Sequence, residues 1–422
     1  MKGGDPTRAE DQVGAWRIVM IMLAVMIALP AFVMGAELSF SLGAMRAVWA
    51  ALLGGAVLAV IAALAGAAGA RSRQSTYELI VQAFGSQGAR LANAVLGLSI
   101  LGWYGVIATM FGEALIGASP ALATVPVWLL ALGGCVLTTV TTMYGFRALD
   151  LLSALTSPLK VVLLLWTFYA ALRGGMGPVL AFAPGEHTDL GTGVSLVAGG
   201  LIVGAVLAPD VARFARTPWH AAAGCAIAYG LCFPAVLLLA GMPSLAAGNR
   251  DLVAIMIALG LGLPALLIVA LTAWSTNTFN LYAATLIGQT VWRHQPAWRI
   301  SLAAGAAGAA LGLAGVSQWL VPYLLWLGIC IPPIAGVYLL NAAMQPRSGP
   351  TPAWRADALI AWLIGSGWAA LSKQWGLQLT PTAALDSILV CAMAYALMRK
   401  WRPIQRRINA LSAGERQCTP RD

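Results

Sequence analysis

Residues 18–42 read IVMIMLAVMIALPAFVMGAELSFSL. A helix needs roughly 20 apolar residues to cross a bilayer, and this run is long enough, yet it carries Leu29-Pro30 and then Gly35-Ala36. Proline removes a ladder donor and glycine weakens a helix interior, so the spanning helix is expected to be discontinuous near mid-membrane. Five spans later, the run at 193–209 holds Gly199-Gly200, Gly204 and Pro209. Corresponding breaks in two halves predict an inverted repeat of five plus five helices, with the binding site between the broken elements.

The remainder of the chain agrees. Of 422 residues, 60% are hydrophobic and only 9% charged, with a mean hydropathy of +0.81, more apolar surface than a soluble fold can hide. Further runs able to span fall at 47–70, 91–117, 125–146, 151–172, 219–243, 261–288, 300–316, 318–344, 357–376 and 382–398. The expected fold is an all-α integral membrane protein of about twelve transmembrane helices. A ten-helix inverted-repeat transport core occupies 18–344 and two additional helices 345–398, between an N-terminal tail (1–17) and a basic tail (399–422). Pro158 in the fifth span and Pro332-Pro333 in the tenth favour kinks. Residues 71–90 are read as an amphipathic surface helix.

Basic residues give the orientation. With the N-terminus inside, the outer loops hold only Arg46, Arg173, Arg250 and Lys373, and nearly every other Lys and Arg is cytoplasmic. Both termini are therefore expected in the cytoplasm of a bacterial inner (plasma) membrane. The net charge of +10 marks topology, not nucleic-acid binding, since no compact basic domain exists. Residues 1–17 are polar and the first apolar run is too long for a signal-peptide core. The cysteines lack metal spacing, His187, His220 and His294 are scattered in loops, and no phosphate loop or nucleophile–base pattern occurs. The chain does not read as an enzyme. No cofactor is expected beyond a coupling ion, and oligomeric state is not legible.

The best lead to function lies in 271–286, LTAWSTNTFNLYAATL, where Ser275, Thr276, Asn277, Thr278 and Asn280 crowd one apolar run. A lone membrane hydroxyl usually bonds back to its own helix. Five polar groups within six positions point instead to a cavity, an ion or a substrate. Lys160 lies two residues after Pro158 with no acid at i±3 or i±4, and at that depth it must be paired, snorkelling or neutral. A structural alternative has it bonded to carbonyls freed in the first span. Glu37 and Glu113 are expected in the outer vestibule, either solvated or in a cation relay, and Asp210 is expected to pair with Arg213 at i+3.

Five stretches then run in order from 29 to 341: LPAFVMGAEL, GWYGVIATMF, APDVARFAR, WSTNTFNLYAA and IPPIAGVYLLN. Together they resemble the nucleobase:cation symporter family, the purine and cytosine permeases, and are most similar to its bacterial cytosine permeases. The resemblance implies a leucine-transporter-type fold, alternating access and import of a planar heterocycle driven by a cation gradient. It implies that Trp103 stacks on the substrate ring, with Ser99, Gly200, Leu201, Asn277, Phe279 and Asn280 around it. It further implies sodium held by Ser275 and Thr276 with carbonyls near Thr272, Ala28 and Ala31. Leu201 and Ile100 depart from the aromatic and glutamine of relatives, which makes the pocket less polar and less aromatic than a cytosine site. Lys160 resembles the fifth-helix lysine that replaces sodium in some amino-acid transporters of this fold, where the amine would carry a proton. Both cations cannot fill one cavity, since unit charges about 4 Å apart repel by about 4 kcal/mol at an effective dielectric of 20. The hydroxyl match favours sodium, with Lys160 pointing elsewhere. An amino-acid or amine transporter is the alternative, ahead of a membrane-embedded enzyme or a channel.

Overall fold

The computed structural model describes residues 8–184, 188–292, 294–315, 326–327, 329–344, 351–372, 374–380 and 382–417, with backbone alone over 401–417. His187, Lys373, Cys418 and the first part of the expected tenth span lie outside the described residues.

The described residues are helical apart from short connections. The first span is broken, as its proline suggests: α1 (Ala15–Met26) and α2 (Leu29–Leu42) meet at 75°. The break falls at Ile27 and Ala28, ahead of the proline. Ala28 is extended (φ −142°, ψ 156°), and Pro30 sits in the first turn of α2, where its missing N–H costs nothing and its fixed φ favours the helix. Gly35 lies within continuous α2. Its bare Cα lets the Leu237 carbonyl come to where a Cβ would stand, so it serves helix packing.

Next come α3 (Ala44–Ser72), α4 (Thr76–Phe84), α5 (Gly88–Ala118), α6 (Val127–Thr142), α7 (Phe146–Ala171) and short α8 (Gly177–Ala181). In α4 a capping box joins Ser75 and Glu78, satisfying two orphan donors reciprocally. Its apolar face is buried against α5 and later helices, so residues 76–84 are packed into the protein more than a surface helix would be.

The sixth span differs from expectation. Asp189 starts α9 (Leu190–Val206) by accepting from the Thr192 amide at 2.9 Å and its hydroxyl at 2.6 Å, bonds that hold its carboxyl below the usual range. The helix then runs unbroken through Gly199, Gly200 and Gly204 and turns only at Leu207-Ala208, before α10 (Pro209–Ala212). The glycines do not break it because glycine only weakens a helix. Gly200 instead admits the Met34 thioether, and Gly204 faces the Tyr229 hydroxyl.

The seventh span joins α11 (Pro218–Ile227) to α12 (Phe233–Ala247) through a π-helical turn, Ala228–Cys232. There follow α13 (Leu252–Ala258), α14 (Gly262–Val291), α15 (Ala297–Leu313), α16 (Pro332–Ala343), α17 (Ala356–Leu371) and α18 (Ala383–Gln417). Among the described residues six spans are long and apolar enough to cross a membrane, seven with the bent α1–α2 pair; α6, α15 and α17 are shorter apolar helices. In the packed bundle α2 lies on α12, α3 on α9 and α11, and α14 on α5, α6, α7 and α1. That last set of neighbours positions the polar run of α14.

Candidate substrate and cation site

The polar side chains of α14 are shared among three neighbouring helices. Ser275 and Thr276 face the broken end of α1. The Ser275 hydroxyl lies 2.9 Å from the Ala24 carbonyl and 2.8 Å from that of Leu271, and Thr276 donates to the Val25 carbonyl at 3.3 Å. Thr278 donates back to Trp274 at 2.7 Å and its carbonyl accepts from Thr142 of α6 at 3.4 Å. Asn277 and Asn280 face α5: Asn277 Nδ2 donates to the Tyr104 carbonyl at 3.1 Å, and Asn280 Nδ2 to Asn277 Oδ1 at 3.3 Å.

Lys160 does not point elsewhere. From α7, fully buried, its amine donates to the carbonyls of Ala24 and of Ile27 (3.1 Å) and to Ser275 Oγ (2.8 Å). The cause is local. Since α1 stops at Met26, its last carbonyls lack the amides that would have continued the helix, and an ammonium has three hydrogens to give. One turn away Ser157 donates to the Met20 carbonyl at 2.7 Å, holding α7 against α1. Of the oxygens expected to surround sodium, the Ser275 hydroxyl is thus bonded to a resident amine.

Ala28 and Ala31 lie a turn beyond this point. The Ala28 carbonyl accepts from the amides of Ala31 (3.0 Å) and Phe32 (3.2 Å) and so starts α2. Thr272 donates to Val269 at 3.0 Å, with its carbonyl 3.3 Å from Ser275 Oγ. It is the carbonyls of Ala24, Val25 and Ile27 that accept from Lys160, Ser275 and Thr276. The sequence signal was available: in a proline-started helix the free carbonyls precede the proline.

Trp103 is half-buried on α5, one residue before the carbonyl that holds Asn277. The Tyr104 hydroxyl, 2.8 Å from Thr138 Oγ1 and 3.1 Å from the Cys135 carbonyl, ties that turn to α6. Trp103, Asn277 and Asn280 therefore belong to one braced unit. Gly105 does not open space beside Trp103, because it faces α15, where a Cβ would come within 2.8 Å of the Gly312 amide. Gly200 lies against Met34 of α2, and Leu201 beside it is half-buried. Ser99 donates to Leu96 at 2.8 Å. Phe279 and Ile100 are buried in the core. Met34 and the Tyr104 carbonyl were not legible from residue type.

Of the three acidic residues singled out, Glu37 and Asp210 have partners and Glu113 lines a cavity. Glu37 pairs with Arg250 at 2.7 and 2.9 Å, and Arg250 also lies over the Phe40 ring at 4.9 Å. Glu113 lines a cavity of about 340 Å³ with Thr109 and Trp128, between α5, α6 and α15. Asp210 accepts from the Thr76 amide at 2.8 Å, docking α4 beneath α10, while Arg213 donates to Tyr282 at 3.1 Å and lies 3.7 Å from Glu78. The expected pairing of Asp210 with Arg213 is electrostatic, without a contact within 4 Å among the described residues, because α4 brings a backbone donor to the carboxylate.

Known proteins resemble this chain in sequence and in fold. The chain is 29% identical over 300 residues to the cytosine permeases of Escherichia coli, 71% of this chain and 70% of theirs. Its fold superposes on Mhp1, a nucleobase-cation-symport-1 family transporter in a closed conformation with bromovinylhydantoin bound, with a TM-score of 0.83 at 18% identity, covering 95% of each chain. A sodium-coupled sialic acid symporter in a substrate-bound outward-open state aligns with a TM-score of 0.67 at 14% identity over 93% of this chain and 90% of that one. The family model described as permease for cytosine/purines, uracil, thiamine and allantoin matches residues 7–344. With most of its length inside that match, the chain belongs to this family of nucleobase permeases, and it is a multi-pass membrane transporter, not an enzyme.

Proposed function

We propose that this permease is a cation-coupled importer that carries a nucleobase, cytosine-like, or a related small planar heterocycle by alternating access. About twelve spans would be arranged as a five-plus-five inverted repeat over 18–344 and two additional helices over 345–398, with both cytoplasmic tails (1–17 and 399–422) on the inner side of a bacterial plasma membrane. In this reading the ring stacks on Trp103, Asn280 meets its polar edge, and Gly200, Leu201 and Met34 border the other side. Residue 7–344 membership in the permease family and the likeness to cytosine permeases support the substrate class.

The coupling ion in this proposal is the proton, carried by Lys160, and sodium is the second reading. The observation that carries it is the amine of Lys160 among the oxygens of Ala24, Ile27 and Ser275. A sodium ion held by Ser275 would sit beside that amine, and two cations there would repel. Ser275 and Thr276 support the sodium reading, because a swing of Lys160 would release Ser275 beside Thr276.

Radiolabelled uptake of nucleobases, hydantoins and vitamin precursors, with and without sodium and a protonophore, tests both parts. Uptake is expected to ignore sodium, to collapse with the protonophore and to be lost in Lys160→Ala. Sodium-driven uptake that survives in Lys160→Ala overturns the proton scheme. Uptake insensitive to every pyrimidine and purine overturns the substrate class in favour of an amino acid or amine.

A further inference from the structure

Helices α17 and α18 lie outside the ten-helix core, and the transport reading gives them no task. Where they meet α16 the charges are out of balance. Asn341 is buried, and its single Oδ1 accepts from Arg355 Nη1 at 3.2 Å, Tyr395 OH at 3.2 Å and Arg399 Nη1 at 3.0 Å. Two guanidinium nitrogens are thus no further apart than the sum of those distances, and a neutral amide oxygen cannot offset two full charges. Among the described residues neither arginine pairs with a carboxylate. Asp357, buried in the first turn of α17, acts on the same Tyr395 as both arginines and offsets one of them, which leaves one positive charge in excess.

The surroundings say what would balance them. Both arginines are half-buried, and Lys400 beside Arg399 is exposed. Trp354, 56% exposed, precedes Arg355 in the manner of an interfacial anchor. Four and eight residues beyond Arg355, half-buried Leu359 and exposed Leu363 make an apolar track that leads away along α17. A paired guanidinium fork with an alkyl track behind it matches a phosphodiester head with an acyl chain. We propose that Arg355 and Arg399 form a binding site for the headgroup phosphate of an acidic phospholipid.

Occupancy there would reach the transport core through backbone contacts. Ser86 and Gln87 donate to the carbonyls of Pro352 (3.1 Å) and Ala353 (2.8 Å), and Arg355 N donates to Phe84 O at 3.0 Å. Residues 352–355 are therefore laced to the end of α4, whose other end is docked on Asp210. A lipid that holds Arg355 in place also holds α4.

The test uses the full-length protein in neutral detergent, with native mass spectrometry and thermal melting. Phosphatidylglycerol, phosphatidylcholine and inorganic phosphate are each added separately. Phosphatidylglycerol is expected to bind and raise the melting temperature, and the other two are not. Arg355→Gln and Arg399→Gln should each weaken binding about tenfold, the scale of one charge-assisted hydrogen bond, while Arg46→Gln at the opposite end leaves it unchanged. If either glutamine variant fails to fold, Arg399→Lys keeps the charge but loses the fork and should weaken binding severalfold. Equal response to phosphatidylcholine or to phosphate alone, or wild-type binding in the Arg399 variants, overturns the proposal.

Discussion

An amide side chain has a donor end and an acceptor end, and in this protein the order of the ends is imposed by the backbone. The Tyr104 carbonyl can only accept, so Asn277 must turn its NH₂ there and its Oδ1 toward Asn280. Asn280 spends an N–H on that contact, and its Oδ1 keeps no partner among the described residues. On the proposed site, the substrate must therefore offer an N–H to that oxygen. Ring analogues methylated at this nitrogen should compete at least about tenfold less well, since a buried acceptor left unpaired costs about 1–3 kcal/mol. Asn280→Leu should abolish recognition. Competition in which methylation makes no difference would remove Asn280 from the site. Trp103→Ala should weaken binding about five- to 150-fold, the equivalent of about 1–3 kcal/mol of stacking per base, with normal expression. Unchanged affinity in a thermal-shift titration would take Trp103 out of the pocket.

Among the helices, glycine carries two meanings that only contact can separate. Gly105 sits where α5 and α15 touch, with a virtual Cβ 2.8 Å from Gly312 N and 3.0 Å from Gly308 O, whereas Gly199 has nothing within 4 Å. Gly105→Ala should therefore lower the melting temperature in detergent, since overpacking costs about 1–3 kcal/mol. Gly199→Ala should leave it equal or higher, because alanine favours a helix by up to about 1 kcal/mol. A fall in Gly199→Ala matching that in Gly105→Ala would mean that α9 needs a flexible point there. This ambiguity explains what was legible beforehand. Apolar length alone gave most spans, and Pro30 announced the first break. Pro209 marked the turn of the sixth span, but Gly199-Gly200 drew attention to its centre. The partners of Lys160 were hidden for another reason: Ala24 and Ile27 contribute carbonyls, which every residue has, from a segment more than 130 positions away.

Across the whole molecule, ion pairs fasten both ends of the bundle. At one end Arg17 grips Asp150 at 2.6 and 2.9 Å, Arg147 grips Asp11, and Val13 exchanges backbone hydrogen bonds with Phe214 and Arg216. At the other, Glu37 holds Arg250. Breaking one exposed pair changes an equilibrium by up to about 1 kcal/mol, or roughly fivefold. Arg17→Asp should thus speed alkylation of a cysteine placed at Ala212 about fivefold, and adding Asp150→Arg should reverse it. Equal rates in all three proteins would show that this pair does not hold the end closed. The captive amine of Lys160 has a consequence of another kind. A bound sodium ion would be delivered inside with each substrate, but a lysine is covalently retained and its proton is all that can leave. On the proposed scheme each imported ring brings one charge through the full membrane potential, about 2.3 kcal/mol per 100 mV. That allows a neutral substrate to be concentrated about fiftyfold at 100 mV, in a medium containing no salt of any particular kind.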